Sequence, residues 1–277
     1  MKLKIAYSSC PNDTFAFHAM INELIDTEGI EFSVDIADVE QLNKRAARGI
    51  YDVCKLSYST FFSICDRYVM LRAGSALGYD NGPLFVSLTN NVSKENLADL
   101  KVAVPGEGTT GALLLRTAFP ECKNLIPVLF SDIEKGILEG EFDAGVLIHE
   151  GRFTYRDKGL NLIEDLGSYW QRSTGLPVPL GGIAVSRSIE NDIRKKINRI
   201  LKRSIEFALK NPDKSAEYVC ENAQEMDTEI QRKHIDLFVN EYTLDIGDIG
   251  QKAVETLYET ASRLRPDIKN EKLLFIE

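Results

Sequence analysis

The sequence predicts a two-domain α/β fold with a ligand cleft between the domains, each domain a mostly parallel sheet flanked by helices. Three observations carry this expectation. Short apolar runs alternate with helical patterns from residue 3 to residue 72, the same rhythm restarts near Leu100, and the C-terminal third is helical. Such alternation marks a sheet covered on both faces, because each helix must bury its apolar stripe against the strands it connects.

Residues 3–7 read as a strand, and Asn12 or Asp13 can cap a helix running to about Leu24. Residues 30–36 alternate as a strand does. Residues 39–48 read as a helix with Leu42 and Ala46 on one face and Gly49 as its stop. A strand at 52–56, an apolar helix at 59–65 and a strand at 68–72 complete the first unit. In the second, strands are expected at 100–104, 125–130 and 142–148, helices at 111–119 and from an Asp132 cap to Gly140, and an extended run at 161–166. A strand at 183–186 leads into helices at 189–210, 214–221, 228–240 and 250–263, the first stopped by Asn211-Pro212. Two apolar stretches, 83–88 and 181–186, each follow a Gly/Pro-rich loop. They are expected to be the crossings between a discontinuous domain, 1–86 with 184–277, and an inserted smaller one, 87–183. Two crossings permit a hinge, and ligands lodge between domains.

The 277 residues are 44% hydrophobic and 27% charged, the balance of an ordinary soluble protein. A net charge of −9 excludes a general nucleic-acid binder, which needs a basic stripe. It does not exclude an anionic ligand, since backbone N–H groups hold anions inside acidic proteins. The apolar run after Lys2 and Lys4 is only Ile5-Ala6-Tyr7, far short of a signal peptide, and no stretch has the length of a membrane span. Five scattered cysteines without a CxxC pair fit free thiols. A cytoplasmic protein is expected, with no nucleic-acid or membrane partner; the oligomeric state is left open.

Ligands of open α/β sheets bind beyond the carboxyl ends of the strands. There the sequence places Ser8-Ser9-Cys10-Pro11-Asn12-Asp13-Thr14, Ser57-Tyr58-Ser59-Thr60, Gly106-Glu107-Gly108-Thr109-Thr110 and His149-Glu150-Gly151-Arg152. The first three are hydroxyl-rich turns that open helices, offering N–H groups, hydroxyls and the positive end of a helix dipole. N-capping accounts for any one of them; three converging at strand ends point to an anion. The fourth carries the strand-end histidine. Its imidazole accepts a proton near neutral pH, so His149 is the candidate general base. Cys10, Asn12 and Arg152 lie in the same turns as further candidates for the cleft wall. His18 is expected to pack inside its helix, beside Phe15 and Phe17, and His234 to sit at the surface of a charged helix. No His/Cys cluster has metal-ligand spacing. Gly106-Glu107-Gly108-Thr109-Thr110-Gly111 matches the dinucleotide fingerprint, with Asp132 further on. Pro105 before the first glycine, the mid-chain position and the capping role expected of Asp132 argue against it.

At these same residues the chain resembles the 1,4-dihydroxy-6-naphthoate synthase family of the futalosine route to menaquinone. The resemblance is carried by Ser9-Cys10-Pro11-Asn12-Asp13-Thr14-Phe15, Asp52-Val53-Cys54-Lys55-Leu56-Ser57, Gly74-Ser75-Ala76-Leu77-Gly78, Val104-Pro105-Gly106 with Thr109-Thr110, and the run Asp143 to Glu150 ending Ile148-His149-Glu150. Arg152-Phe153-Thr154-Tyr155, Asp165-Leu166-Gly167 and Thr174-Gly175-Leu176-Pro177 follow in order. The resemblance implies a fold like the type II periplasmic binding proteins and a carbon–carbon lyase acting on cyclic dehypoxanthine futalosine. It implies no cofactor. It also implies that the proton acceptor falls on His149, and that the substrate-holding segments fall on Lys55, Leu56 and Ser57 and on Thr109 and Thr110. Two other readings stay open: a non-catalytic binding protein for small anions with the same fold, and the sister chorismate dehydratase of the same pathway.

Overall fold

The first sheet is built from β1 (Lys2–Tyr7), β2 (Glu31–Ile36), β3 (Val53–Ser57), β4 (Tyr68–Met70) and β5 (Ala76–Gly78), with α1 (Pro11–Ile21), α2 (Val39–Ala46) and α3 (Tyr58–Ile64) following its first three strands. The chain then passes over residues 79–83 to a second sheet. This holds β6 (Leu84–Ser87), β7 (Val102–Val104), β8 (Leu125–Pro127), β9 (Ala144–Leu147) and β10 (Asn161–Asp165), with α4 (Thr110–Ala118), α5 (Phe130–Leu138), α6 (Gly151–Thr154) and α7 (Leu166–Thr174). It returns over residues 175–177 to the first sheet as β11 (Val178–Ser186). The remainder is helical: α8 (Asn191–Lys210), α9 (Pro212–Asn222), α10 (Thr228–Phe238), α11 (Glu241–Leu244) and α12 (Gly247–Leu264). The computed structural model describes residues 1–89, 92, 96–149, 151–223, 227–268 and 273–277.

Strand order is β2-β1-β3-β11-β4 in the first sheet, with β5 also paired to β11, and β10-β6-β9-β7-β8 in the second. β1 is parallel to β2 and β3, but β11 runs antiparallel to β3, β4 and β5. In the second sheet β7 is parallel to β8 and β9, whereas β6 is antiparallel to β9 and β10. Both sheets are therefore mixed, not mostly parallel as expected. The cause lies in the crossings: β6 and β11 each enter a sheet from the other one, so no right-handed βαβ connection fixes their direction. The stretches 83–88 and 181–186 are not themselves the crossings. They fall mainly in strands β6 and β11, and the change of sheet comes just before each. Gly175, at φ +71, closes α7 there in the left-handed region that glycine adopts without strain.

The alternation of side chains along the strands explains where the core sits. Leu3, Ile5 and Tyr7 of β1 join one apolar body with Phe17 and Met20 of α1 and Ile200 and Leu201 of α8. Ala6 turns the other way, to a body that also holds Leu56, Phe61 and Phe62. That same body takes in Phe85, Val102 and Val104 of the second sheet, while Leu84, Val86 and Ala103 turn to Ile133 and Ile137 of α5. The two sheets thus share one apolar layer, in which each fully buried Leu, Val or Phe contributes about 1.5–3 kcal/mol. Two sequence expectations shift locally. The strand at 125–130 stops at Pro127, and α5 starts at Phe130 after Leu129, so Asp132 lies in its first turn instead of capping it.

Candidate active site

β3 is buried along its whole length, Lys55 included. A charged ammonium survives there because Asp13, from the first turn of α1, lies 2.5 Å from its Nζ. The Asp13 carboxylate also accepts from the Ser8 hydroxyl at 2.6 Å and from Asn12 Nδ2 at 3.1 Å, so its oxygens are fully engaged. Close packing of β11 makes this possible: a Cβ on Gly181 would stand 2.5 Å from the Leu56 carbonyl oxygen and 3.5 Å from Lys55 Cε.

Ser57 sits two residues along β3 from Lys55, on the same face. Buried Asn43 of α2 holds it twice, accepting from Ser57 N–H at 3.0 Å and donating to Ser57 Oγ at 3.1 Å. Among the described residues no acceptor takes the Ser57 hydroxyl proton, so it can serve a ligand. The two threonines are used differently from what their hydroxyls alone lead one to expect. Thr109 Oγ1 donates to Gly106 O at 2.8 Å and accepts from Ala112 N–H at 3.3 Å, which is a helix cap. Thr110 Oγ1 donates to Leu180 O at 2.6 Å and accepts from Ser59 N–H at 3.3 Å, which ties α4 to the first sheet. What this loop offers a ligand is therefore the first-turn N–H groups of α4, which no helix ladder can satisfy. The glycines of the fingerprint-like motif serve the same docking. Gly106, at φ +117, and Gly108 lie against Glu40 and Thr60 of the first sheet's helices, too close for any Cβ. Burial raises the Glu40 carboxyl pKa there, against the opposing Asn43 hydrogen bond.

His149 follows β9 at φ +57, a left-handed conformation costly for a non-glycine residue and concentrated at functional sites. Its ring is held on three sides. Cys10, at the start of α1, brings its Sγ to 3.3 Å from Nδ1 and 3.8 Å from Nε2. The Phe130 ring meets it edge-on at 4.8 Å, and the His234 ring stacks on it at 5.9 Å and 16°. Glu150, next in the turn, lies outside the described residues.

His234 overturns the surface expectation. It is 1% exposed and shares the inward stripe of α10 with Gln231 and Phe238. The i, i+3, i+7 spacing of those three was the available signal; the charges between them masked it. Its Nε2 donates to Asn12 Oδ1 at 3.0 Å, which extends the Lys55–Asp13–Asn12 chain to the ring stacked on His149. His18 does pack as expected, with Nδ1 3.0 Å from Ser215 Oγ. Burial first, then the charges of His149 and Lys55, holds the His234 pKa well below 6.5. Between that depressed value and 6.5 the unfolded chain binds more protons than the folded one, so stability is full above the unfolded value and is lost as pH falls below it. We expect the unfolding free energy from urea titration to drop on acidification from about pH 7.5 to about pH 5.5, by up to about 1.4 kcal/mol per pH unit for this ring, and His234→Gln to flatten the slope. His18, also lowered by burial, supplies a residual slope. A slope identical in the variant would contradict a neutral buried His234.

These groups wall one cleft of about 690 Å³, its open mouth included, between the two sheets. His149, Lys55, Leu56, Ser57, Thr109, Thr110, Asn12 and Arg152, the candidates from the sequence, line it, and Cys10 reaches it through the His149 ring. Arg152 lines it too, yet its guanidinium is spent on Asp165 Oδ2 at 3.5 Å and on the carbonyls of Asp80 and Gly82; burial lowers its pKa, partly offset by Asp165. Val39, Pro83, Ile148, Leu180 and Phe238 supply the apolar part of the cleft wall. Sequence reasoning passed over Asp13, Asn43, Asn81 and His234 as site residues.

Two α/β lobes around a ligand cleft, joined by two crossings, define the class: the fold of the periplasmic binding proteins. Solved structures agree. The alkanesulfonate-binding protein of Xanthomonas axonopodis pv. citri superposes with a TM-score of 0.73 over 99% of this chain and 96% of its own, at 10% identity. A Candida albicans protein described as having the generic periplasmic binding protein fold gives 0.71 over 100% and 98%, at 12% identity. The chain belongs to the menaquinone biosynthesis family, whose model matches residues 3–263. Proteins named 1,4-dihydroxy-6-naphthoate synthase from Thermus thermophilus and Streptomyces coelicolor are 37% and 38% identical to it, each over 94% of this chain and 93% of the relative. An Archaeoglobus fulgidus protein solved by X-ray crystallography is 33% identical, covers 95% of this chain and 97% of its own, and has a TM-score of 0.89.

Proposed function

We propose that this chain is a carbon–carbon lyase of menaquinone biosynthesis, working in the cytoplasm on cyclic dehypoxanthine futalosine. Its products are 1,4-dihydroxy-6-naphthoate and a three-carbon fragment of the former ribose. The observation that carries the reading is the convergence of His149, from the second lobe, with Lys55 and Ser57, from the first, on one cleft with apolar walls. The two similar synthases support the same reaction.

In this reading the substrate's carboxylate lies against Ser57, Lys55 and the first-turn N–H groups of α4, while its ring lies between the apolar walls. With Nδ1–H of His149 donated to the Cys10 sulfur, Nε2 keeps its lone pair and takes the proton of a substrate hydroxyl. The carbon–carbon bond then breaks in a retro-aldol sense, and the aromaticity gained by the product drives the step. The two lobes divide as the sheets do, and the cleft between them shields the bound substrate from water. Incubating the purified protein with the cyclic substrate and following the naphthoate absorbance tests this. Many turnovers per protein are expected. Binding without product would make the chain a solute binder, and dehydration of chorismate in its place would make it the sister enzyme.

A further inference from the structure

We propose that Asn81 is a substrate-recognition residue of this cleft, and that its side-chain amide receives the hydroxyl-bearing, sugar-derived part of the substrate. The assignment rests on the function proposed above. Asn81 lines the cleft and is 1% exposed. Neither its Oδ1 nor its Nδ2 has a hydrogen-bond partner among the described residues, and no other described side chain has two such buried atoms. Burying an amide with both ends unsatisfied is costly, so the group calls for a partner from outside the protein.

The segment carrying Asn81 is built to hold that amide in place. It is the 79–83 crossing between the two sheets. Asp80 is left-handed at φ +57. Arg152 donates to the carbonyls on either side of Asn81, that of Asp80 at 2.8 Å and that of Gly82. Gly82 lies on Gly167 so closely that a Cβ would stand 2.3 Å from the Gly167 Cα. Gly78 forms the floor, where a Cβ would come within 2.7 Å of Asn81 Nδ2. The turn is thus clamped from three directions, and it holds in the cleft wall an amide that no described protein group uses. Arg152, a candidate ligand contact on sequence grounds, acts here through Asn81 as a positioning residue.

An amide presents a donor beside an acceptor. A carboxylate can use only the donor, whereas neighbouring hydroxyls use both. The anionic end of the substrate has Lys55, Ser57 and the α4 N-terminus; the neutral polyol end has Asn81. A site that hydrogen-bonds a substrate hydroxyl also rejects analogues lacking it far more strongly than an apolar wall does.

The test compares wild type with Asn81→Leu, which keeps the branched shape, and Asn81→Ala. For each, kcat/KM on the cyclic substrate, the inhibition constant of 1,4-dihydroxy-6-naphthoate and the thermal midpoint are measured. The naphthoate lacks the sugar-derived hydroxyls. The expected result is a fall in kcat/KM of about 100-fold in both variants. Product inhibition should stay unchanged, and the midpoint should stay within about 2 °C of wild type, because no protein partner is lost. A kcat/KM within about three-fold of wild type, a product inhibition constant that rises in step with the substrate effect, or a midpoint lowered by more than about 5 °C in both variants overturns the assignment. A wild type that makes no naphthoate contradicts the proposed function and the assignment with it. An active wild type matched by active variants contradicts the assignment alone.

Discussion

Replacing His149 by alanine is expected to lower kcat for naphthoate formation by on the order of 10²–10⁴, the usual contribution of a positioned general base. Substrate binding should change little, because the groups assigned to the carboxylate lie on β3 and at the start of α4. The backbone at this position needs care, since φ is +57 and alanine tolerates that region poorly. Asparagine tolerates it better and cannot act as a base near neutral pH, so His149→Asn separates chemistry from local folding. Both variants should bind, and both should turn over more slowly than wild type by on the order of 10²–10⁴. Activity within a few-fold of wild type in the asparagine variant would remove the ring from the mechanism.

The buried ion pair gives the largest effect on stability. Asp13→Ala leaves the Lys55 ammonium, 7% exposed, without its carboxylate, and should cost about 3–5 kcal/mol in a urea titration. Exchanging both partners for apolar residues of similar volume, Asp13→Leu with Lys55→Met, should recover most of that loss, because the desolvation of two charges disappears together with their attraction. The double variant should fold and yet bind the anionic substrate poorly. A single-variant loss below about 1 kcal/mol would mean that water screens the pair, against its burial.

Much of this architecture was legible in the sequence, and the departures have physical causes. The first unit through β4 follows its hydrophobic periods closely, since each strand there is a short apolar or alternating run flanked by turn residues. β6 and β11 gave the apolar signal but not their direction, which depends on partners distant in the chain. α7 (Leu166–Thr174) was missed because Gly167 opens it and small polar residues dilute its stripe, leaving buried Leu166 and Trp170 as the anchors. In the site, the strand-end rule found the turns at residues 8–14, 57–60, 106–110 and 149–152. It could not say which atoms each turn leaves for a ligand: the hydroxyls of Thr109 and Thr110 proved to be capping and bridging groups. His234 and Asn81 were invisible for a related reason. One faces inward from a helix rich in charge, and the other lies in a crossing loop whose position only tertiary packing fixes.

The most direct measurement is a crystal structure of the His149→Asn variant soaked with cyclic dehypoxanthine futalosine. The substrate is expected in the cleft, its carboxylate against Ser57 and the first turn of α4, and the bond to be cleaved beside residue 149. A substrate bound elsewhere, or one lying in the cleft out of reach of residue 149 with the lobes closed, would contradict it.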